Sequence, residues 1–157
     1  MNHGLFFFAA LLLTQPPAQA APFSSSDDGQ EVTDQASGLI WRRCAEGMSW
    51  NGATCAGSAL VFTHEAALIH ARSEVAASGK AWRLPNVKEL SSLVDRGRIN
   101  PSIDIAAFPA TPSSVFWSSS PYPLITGYAW HVVFSDGGVD GNWRFYDFAV
   151  RLVRDSQ

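Results

Sequence analysis

An α+β domain, with two helices in its first half and a mostly antiparallel sheet in its second, is the architecture the sequence predicts. Three observations carry it. Apolar and small residues recur at helical spacing between Thr63 and Gly79, a capped helix start is written into Trp82-Arg83-Leu84-Pro85-Asn86-Val87-Lys88-Glu89-Leu90, and the final third turns to aromatic and β-branched runs. At 157 residues the chain fits one domain.

Residues 1–20 stand apart from that domain. Leu5 to Leu13 is an unbroken apolar run too short to span a bilayer, and Thr14-Gln15-Pro16-Pro17 followed by Ala18-Gln19-Ala20 supplies a small-residue cleavage site. The segment is expected to be a secretory signal peptide, leaving a mature chain that begins at Ala21. No later run is long or apolar enough for a membrane segment, so the product is expected outside the cytoplasm, periplasmic or extracellular, without membrane insertion. A net charge of -3 excludes a generally basic nucleic-acid binder.

Residues 21–30, with Ser24-Ser25-Ser26-Asp27-Asp28-Gly29, are expected to be a flexible lead-in, and the domain proper to span 31–154. Val32 to Thr33 and Leu39 to Arg42 are short strand candidates on either side of a turn from Asp34 to Gly38. Cys44 and Cys55 then bracket a segment rich in Gly and Asn, and an oxidising compartment favours a disulfide between them. Closing so short a ring contributes about 3 kcal/mol on loop-closure grounds. Two thiols with no Cys or His nearby do not make a zinc site.

Thr63 can cap the first helix, whose first turn carries Glu65 and whose body runs through Leu68, Ile69, Arg72, Val75 and Ala76 to a stop at Gly79. Asn86 and Glu89 have the spacing of a capping box, and Val87, Leu90, Leu93 and Val94 share a face, which predicts a second helix from Asn86 to Asp95. The strands of the last third are Val115 to Ser118, Tyr128 to Phe134 and Phe148 to Arg154, with Asp136-Gly137-Gly138 as a hairpin turn. Trp41, Trp82, Trp117 and Trp130 lie inside such segments and are expected in the core.

Several of these motifs, in order, carry a resemblance. Val32-Thr33-Asp34 with Gly38-Leu39-Ile40-Trp41-Arg42-Arg43-Cys44, Trp82 to Leu90, Phe116-Trp117-Ser118-Ser119-Ser120, Trp130 to Phe134 and Val150-Arg151-Leu152-Val153-Arg154 are similar to the Lcl C-terminal domain family, secreted bacterial domains named after the Legionella collagen-like adhesin. The resemblance runs from about Glu31 to Arg154. It implies a compact fold related to C-type lectin-like domains, in which N- and C-terminal strands pair and two helices flank a sheet. It also implies that Cys44 and Cys55 form the family's loop disulfide. Through its adhesin member it implies binding of sulfated glycosaminoglycans.

Function is expected to be non-enzymatic binding or adhesion, with carbohydrate, sulfated glycans included, as the leading ligand class. The alternative is an envelope structural or assembly protein that binds another protein. His64 and His70 are six apart on the first helix, which does not put them on one face, His131 alternates with strand residues, and Ser118-Ser119-Ser120 lacks the glycines of a nucleophile elbow. No enzyme and no cofactor are expected. Asp136, Asp140, Asn142 and Asp147 group oxygen ligands but read as a polar hairpin rather than a calcium loop. Arg83, Lys88, Arg96 and Arg98 around the second helix, with Arg144, Arg151 and Arg154, are expected to form a solvated surface with ion pairs before they form a polyanion site. The candidate ligand residues are Asn142, Trp143, Arg144 and Tyr146, read as a loop carried by the sheet, and Trp50 in the disulfide loop.

Overall fold

A computed structural model describes residues 22–156, and the signal-peptide expectation for residues 1–20 lies outside the described residues. The chain opens with β1 (Phe23–Ser25), β2 (Glu31–Asp34) and β3 (Ile40–Arg42), which form an antiparallel sheet completed by β11 (Val153–Arg154) in the order β1-β2-β3-β11. Amino- and carboxyl-terminal strands therefore share one sheet. The Asp34 carboxylate holds the β2–β3 turn, accepting from the Ala36 N–H and the Ser37 hydroxyl, while Gly38 takes the left-handed conformation the turn needs.

Part of the segment expected to be a flexible lead-in is the short strand β1. Phe23 is half-buried and meets Phe108 edge-to-face at 5.2 Å, so one apolar side chain is enough to dock the strand against β2. The disulfide is formed: Cys44 and Cys55 lie with Cα atoms 5.5 Å apart and close a loop that contains β4 (Ser49–Trp50) and ends where β5 (Cys55–Ala56), its hairpin partner, begins.

After β6 (Val61–Phe62) comes α1 (His64–Ser78), with the Thr63 hydroxyl accepting from Ala66 N–H at its start and Gly79 left-handed at its end. The face it buries is built from Ala67 and Ala71, whose small side chains let the helix lie close to the sheet, and Ile69 and Val75 remain exposed. The second helix, α2 (Val87–Ser92), has both halves of the capping box, Glu89 N–H to Asn86 Oδ1 at 2.9 Å and Asn86 N–H to Glu89 Oε2 at 2.8 Å. It is shorter than expected. Leu93 and Val94 N–H groups donate to carbonyls three back, and Asp95 N–H then donates to Ser102 O, which draws the chain off the helix axis.

The main sheet runs β6-β10-β7-β8-β9 and is antiparallel except for β10 against β7. Its strands are β7 (Val115–Pro121), β8 (Tyr128–Val133), β9 (Gly138–Trp143) and β10 (Phe148–Ala149). Phe116 and Trp117 are adjacent in β7 and point to opposite faces. Phe116 joins a cluster with Leu90 of α2, Leu93, Ile103, Phe108 and Phe134, whereas Trp117 joins one with Ala67 and Ala71 of α1, Leu84, Val150 and Leu152. Each helix thus covers one face.

Two strand expectations are corrected. The single strand predicted from Phe148 to Arg154 is split into β10 and β11, because Val150 O and Leu152 O are used by Glu46 N–H and Arg42 N–H as the chain passes from one sheet to the other. Trp130 is half-buried rather than core, packed on Tyr122 at a ring distance of 4.5 Å beside a shallow cavity that it shares with Val87 and Ser91. Trp41, Trp82 and Trp117 are buried as expected.

Candidate functional site

The candidate site grows from the end of β9. Asn142 and Trp143, expected in a loop, belong to that strand, with Trp143 opposite Tyr128 of β8 and the two rings 4.6 Å apart. The chain must turn tightly here. Gly127 sits under the Trp143 ring in the left-handed conformation, and a Cβ at that position would press to 3.3 Å from the indole. Phe145 stacks on Trp143 at 5.7 Å with nearly parallel planes, and the pair faces outward, Trp143 40% and Phe145 65% exposed.

Arg144 fastens this aromatic corner to the helix. Its N–H donates to Gly127 O, its Nε donates to Tyr128 O at 3.1 Å, and its own carbonyl accepts from the N–H of His64, the first residue of α1. Between the corner and the first turns of α1 lies a groove of about 650 Å³. Trp143, Arg144 and Phe145 form one wall, and Thr63, Glu65 and Leu68 form the other. The wall is mainly apolar, with a guanidinium on one side and a carboxylate on the other.

The other predicted site residues fall elsewhere. Tyr146 lies outside the groove, stacked between Phe145 and Phe148. Asn142 turns its Oδ1 to the Trp143 N–H at 2.9 Å, as Asp140 does to Gly141 N–H at 2.7 Å, so these side chains cap donors of the outermost strand. Asp136 caps Gly138 N–H in the same way. Three of the four oxygen-bearing side chains of this hairpin, Asp136, Asp140 and Asn142, thus cap backbone donors. Trp50 is half-buried in the disulfide loop, against Gly29 and beneath the Arg43 guanidinium at 4.0 Å, and plugs its own loop. Phe145, Glu65, Thr63 and Leu68 were missed. Phe145 lay inside the run singled out in the sequence, but the α1 residues carry no sequence signal that ties them to it.

Three of the basic residues, Arg83, Arg98 and Arg154, are held in ion pairs. Arg83 holds Glu89 with both amino groups, at 2.8 and 2.9 Å, and also Asp155. Arg98 pairs with Asp95, and Arg154 with Glu31 at 2.6 Å. Arg151 is a correction to the expected surface: it is fully buried.

Residues 30–154 match the Lcl C-terminal domain. The chain belongs to the Lcl C-terminal domain family. No curated protein and no solved structure matches the chain. Membership fits a secreted, adhesion-type domain, as does the Cys44–Cys55 disulfide, which an oxidising compartment would preserve. Among the described residues no helix is long and apolar enough to cross a membrane.

Two histidines of this Lcl C-terminal domain, His64 and His131, are buried residues with a pH consequence. Burial holds His64 below the ordinary histidine range, partly countered by its bond to Ser118 O at 3.0 Å and reinforced by Arg144. Burial likewise lowers His131, against a weaker upward pull from Asp140. Both are neutral in the fold and take up protons more readily once unfolded. Their contribution is therefore complete above about pH 6.5 and is lost as pH falls through their folded values. Glu31 and Glu89 act further down: burial raises both, but the bonds from Lys80 and Arg154 to Glu31, and from Arg83 to Glu89, outweigh it and leave them below the ordinary range. Thermal melts at successive pH values are expected to show the midpoint falling in two stages, first below about pH 6.5 and again below about pH 4.5. A midpoint unchanged from pH 7.5 to pH 5 would exclude the histidine contribution.

Proposed function

We propose that this Lcl C-terminal domain is a secreted, non-enzymatic adhesion module that takes carbohydrate in the groove between the Trp143–Phe145 corner and the start of α1. The stacked, outward-facing Trp143 and Phe145 carry the proposal. A pyranose ring has an apolar face that lies on such a platform, while its hydroxyls need a donor and an acceptor in the same wall. Arg144 and Glu65 supply them from opposite sides. One positive and one negative group leave the groove without a strong charge preference, which suits neutral or weakly charged sugars and accommodates sulfated ones through Arg144.

The test is a glycan array probed with the oxidised domain, followed by titration of the best hit. Trp143→Ala is expected to weaken binding at least about tenfold while the melting temperature stays within a few degrees, because an exposed ring removed from a strand end leaves no core cavity. If the ligand is sulfated, Arg144→Ala loses more affinity at low salt than at high salt, since screening already weakens that contact at high salt. Binding unchanged in both Trp143→Ala and Phe145→Ala would overturn the assignment.

A second reading has its own observation. The β7–β8 loop leaves Leu124 82% exposed and Ile125 exposed as well, and Phe145 and Tyr146 are exposed in their turn, apolar side chains of the kind a protein partner covers. An envelope protein partner would bind it at fixed stoichiometry and would not be displaced by free sugars or polyanions.

A further inference from the structure

We infer that Glu46, His70 and Glu74 form a binding site for a divalent transition metal of the zinc type, in which the ion replaces the guanidinium of Arg42. One ligand atom from each of the three side chains lies within 4.8 Å of the others. His70 and Glu74 are four apart on α1, the spacing that puts two side chains on one helical face. Glu46 approaches from the disulfide loop, where its backbone is fixed on both sides, N–H to Val150 O and carbonyl to Leu60 N–H.

The independent sign is at Glu46. Its side chain is almost completely buried, Oε2 is hydrogen-bonded to His70 Nε2 at 2.7 Å, and Oε1 has no hydrogen-bond partner. A buried carboxylate oxygen without a donor is costly, and Arg42 does not satisfy it: Nε stands 3.9 Å away, because the guanidinium is drawn to Glu74 Oε2 at 2.6 Å. The imidazole is already oriented. Phe62 stacks on it at 4.7 Å, 21° from parallel, and leaves Nε2 facing Glu46.

An imidazole with two carboxylates suits zinc, which binds His nitrogen and carboxylate oxygen at about 2.0–2.2 Å, and suits calcium or magnesium poorly, since these ions seek more oxygen ligands. Bringing the three atoms to one tetrahedral ion requires a side-chain shift of about 1 Å, within reach of His70 and Glu74 on the partly exposed helix face. Arg42 has a place to go, for its guanidinium already lies 4.9 Å from the centre of the Trp82 ring. Arg151, buried close enough to Glu46 to feel its charge, opposes a further cation.

The experiment uses the untagged, oxidised mature protein, stripped with chelator and titrated calorimetrically with zinc chloride, with calcium and magnesium chlorides as controls. The expected result is one zinc per chain, binding weakened at least about tenfold in His70→Gln and Glu74→Gln, and tighter binding in Arg42→Met, where the competing cation is gone. Circular dichroism confirms that each variant is folded. Glu74→Gln keeps the test open if His70→Gln does not fold, since Glu74 is partly exposed on the helix surface. No uptake by the wild-type protein, or uptake undiminished in the folded ligand variants, would leave an ion-pair network only and overturn the site.

Discussion

Arg151→Ala is expected to remove about 3–5 kcal/mol of folding stability, a large share of a margin of the order of 5–15 kcal/mol. The side chain is fully buried where the chain crosses from the main sheet to the terminal one. Its Nη1 donates to Arg42 O at 2.8 Å and also to Arg43 O, and its Nη2 donates to the Thr111 hydroxyl at 2.7 Å, which in turn donates to Phe108 O. The guanidinium also lies 4.8 Å from the Phe108 ring centre. One side chain thus ties β3, the disulfide loop and the segment before β7. Burial pushes its pKa down to about 9, with Glu46 pulling the other way, so it is charged at neutral pH but less comfortable there than in water.

That depression sets the comparison that makes the expectation sharp. Alanine leaves a cavity and strands the two carbonyls and the hydroxyl. Methionine strands the same groups but fills the space and removes the buried charge, so Arg151→Met is expected to lose clearly less than Arg151→Ala. Lysine keeps the charge and cannot span all three acceptors with the same geometry. Urea denaturation of the three variants reads the order directly. An alanine variant as stable as wild type would show that the network contributes nothing.

Arg151 also marks where the sequence stops being legible. Elements fixed by neighbours in sequence were readable: Asn86 and Glu89 find each other within one turn, Thr63 and Gly79 bound α1, and Cys44 has only Cys55 to join. Contacts across long separations were not. Arg151, near Arg144 and Arg154 in the sequence, looks like a surface charge until Arg42, Arg43 and Thr111 are brought around it. The site divides in the same way. Trp143 and Arg144 stood out in the sequence because aromatic and cationic groups stand together in one short segment, while Glu65 and Leu68 come to line the same groove only through the packing of α1 on the sheet. Asn142 was singled out because an amide beside a tryptophan looks like a sugar contact, and in the fold its Oδ1 accepts from the neighbouring Trp143 N–H at the outer strand. His70 and Glu74 were passed over because the histidines were weighed against each other, six apart, and not against the carboxylate four residues on.

Trp117→Ala is expected to cost about 3–5 kcal/mol, in contrast to the near-neutral Trp143→Ala, and the pair separates core from surface tryptophan by stability alone. Trp117 is fully buried on the α1 face of the main sheet, with Ala67, Ala71, Leu84 and Val150 in its cluster. Its ring is 4.4 Å from Phe148 and meets His64 edge-on at 5.3 Å. The indole N–H donates to Phe62 O at 2.9 Å, so truncation removes one of the two tryptophans of the cluster and leaves a carbonyl without its donor. Small residues on α1 cannot expand into the space, which keeps the cavity open and the cost high. Trp117→Phe retains most of the volume and loses the hydrogen bond, so a smaller loss is expected. Because His64 rests against Trp117 and donates its N–H to Arg144 O, the alanine variant also loosens the helix wall of the groove. Chemical denaturation gives the stability order, and sugar titration of the folded fraction gives the second effect. A Trp117→Ala protein with wild-type stability would mean that α1 is held to the sheet by contacts other than this cluster.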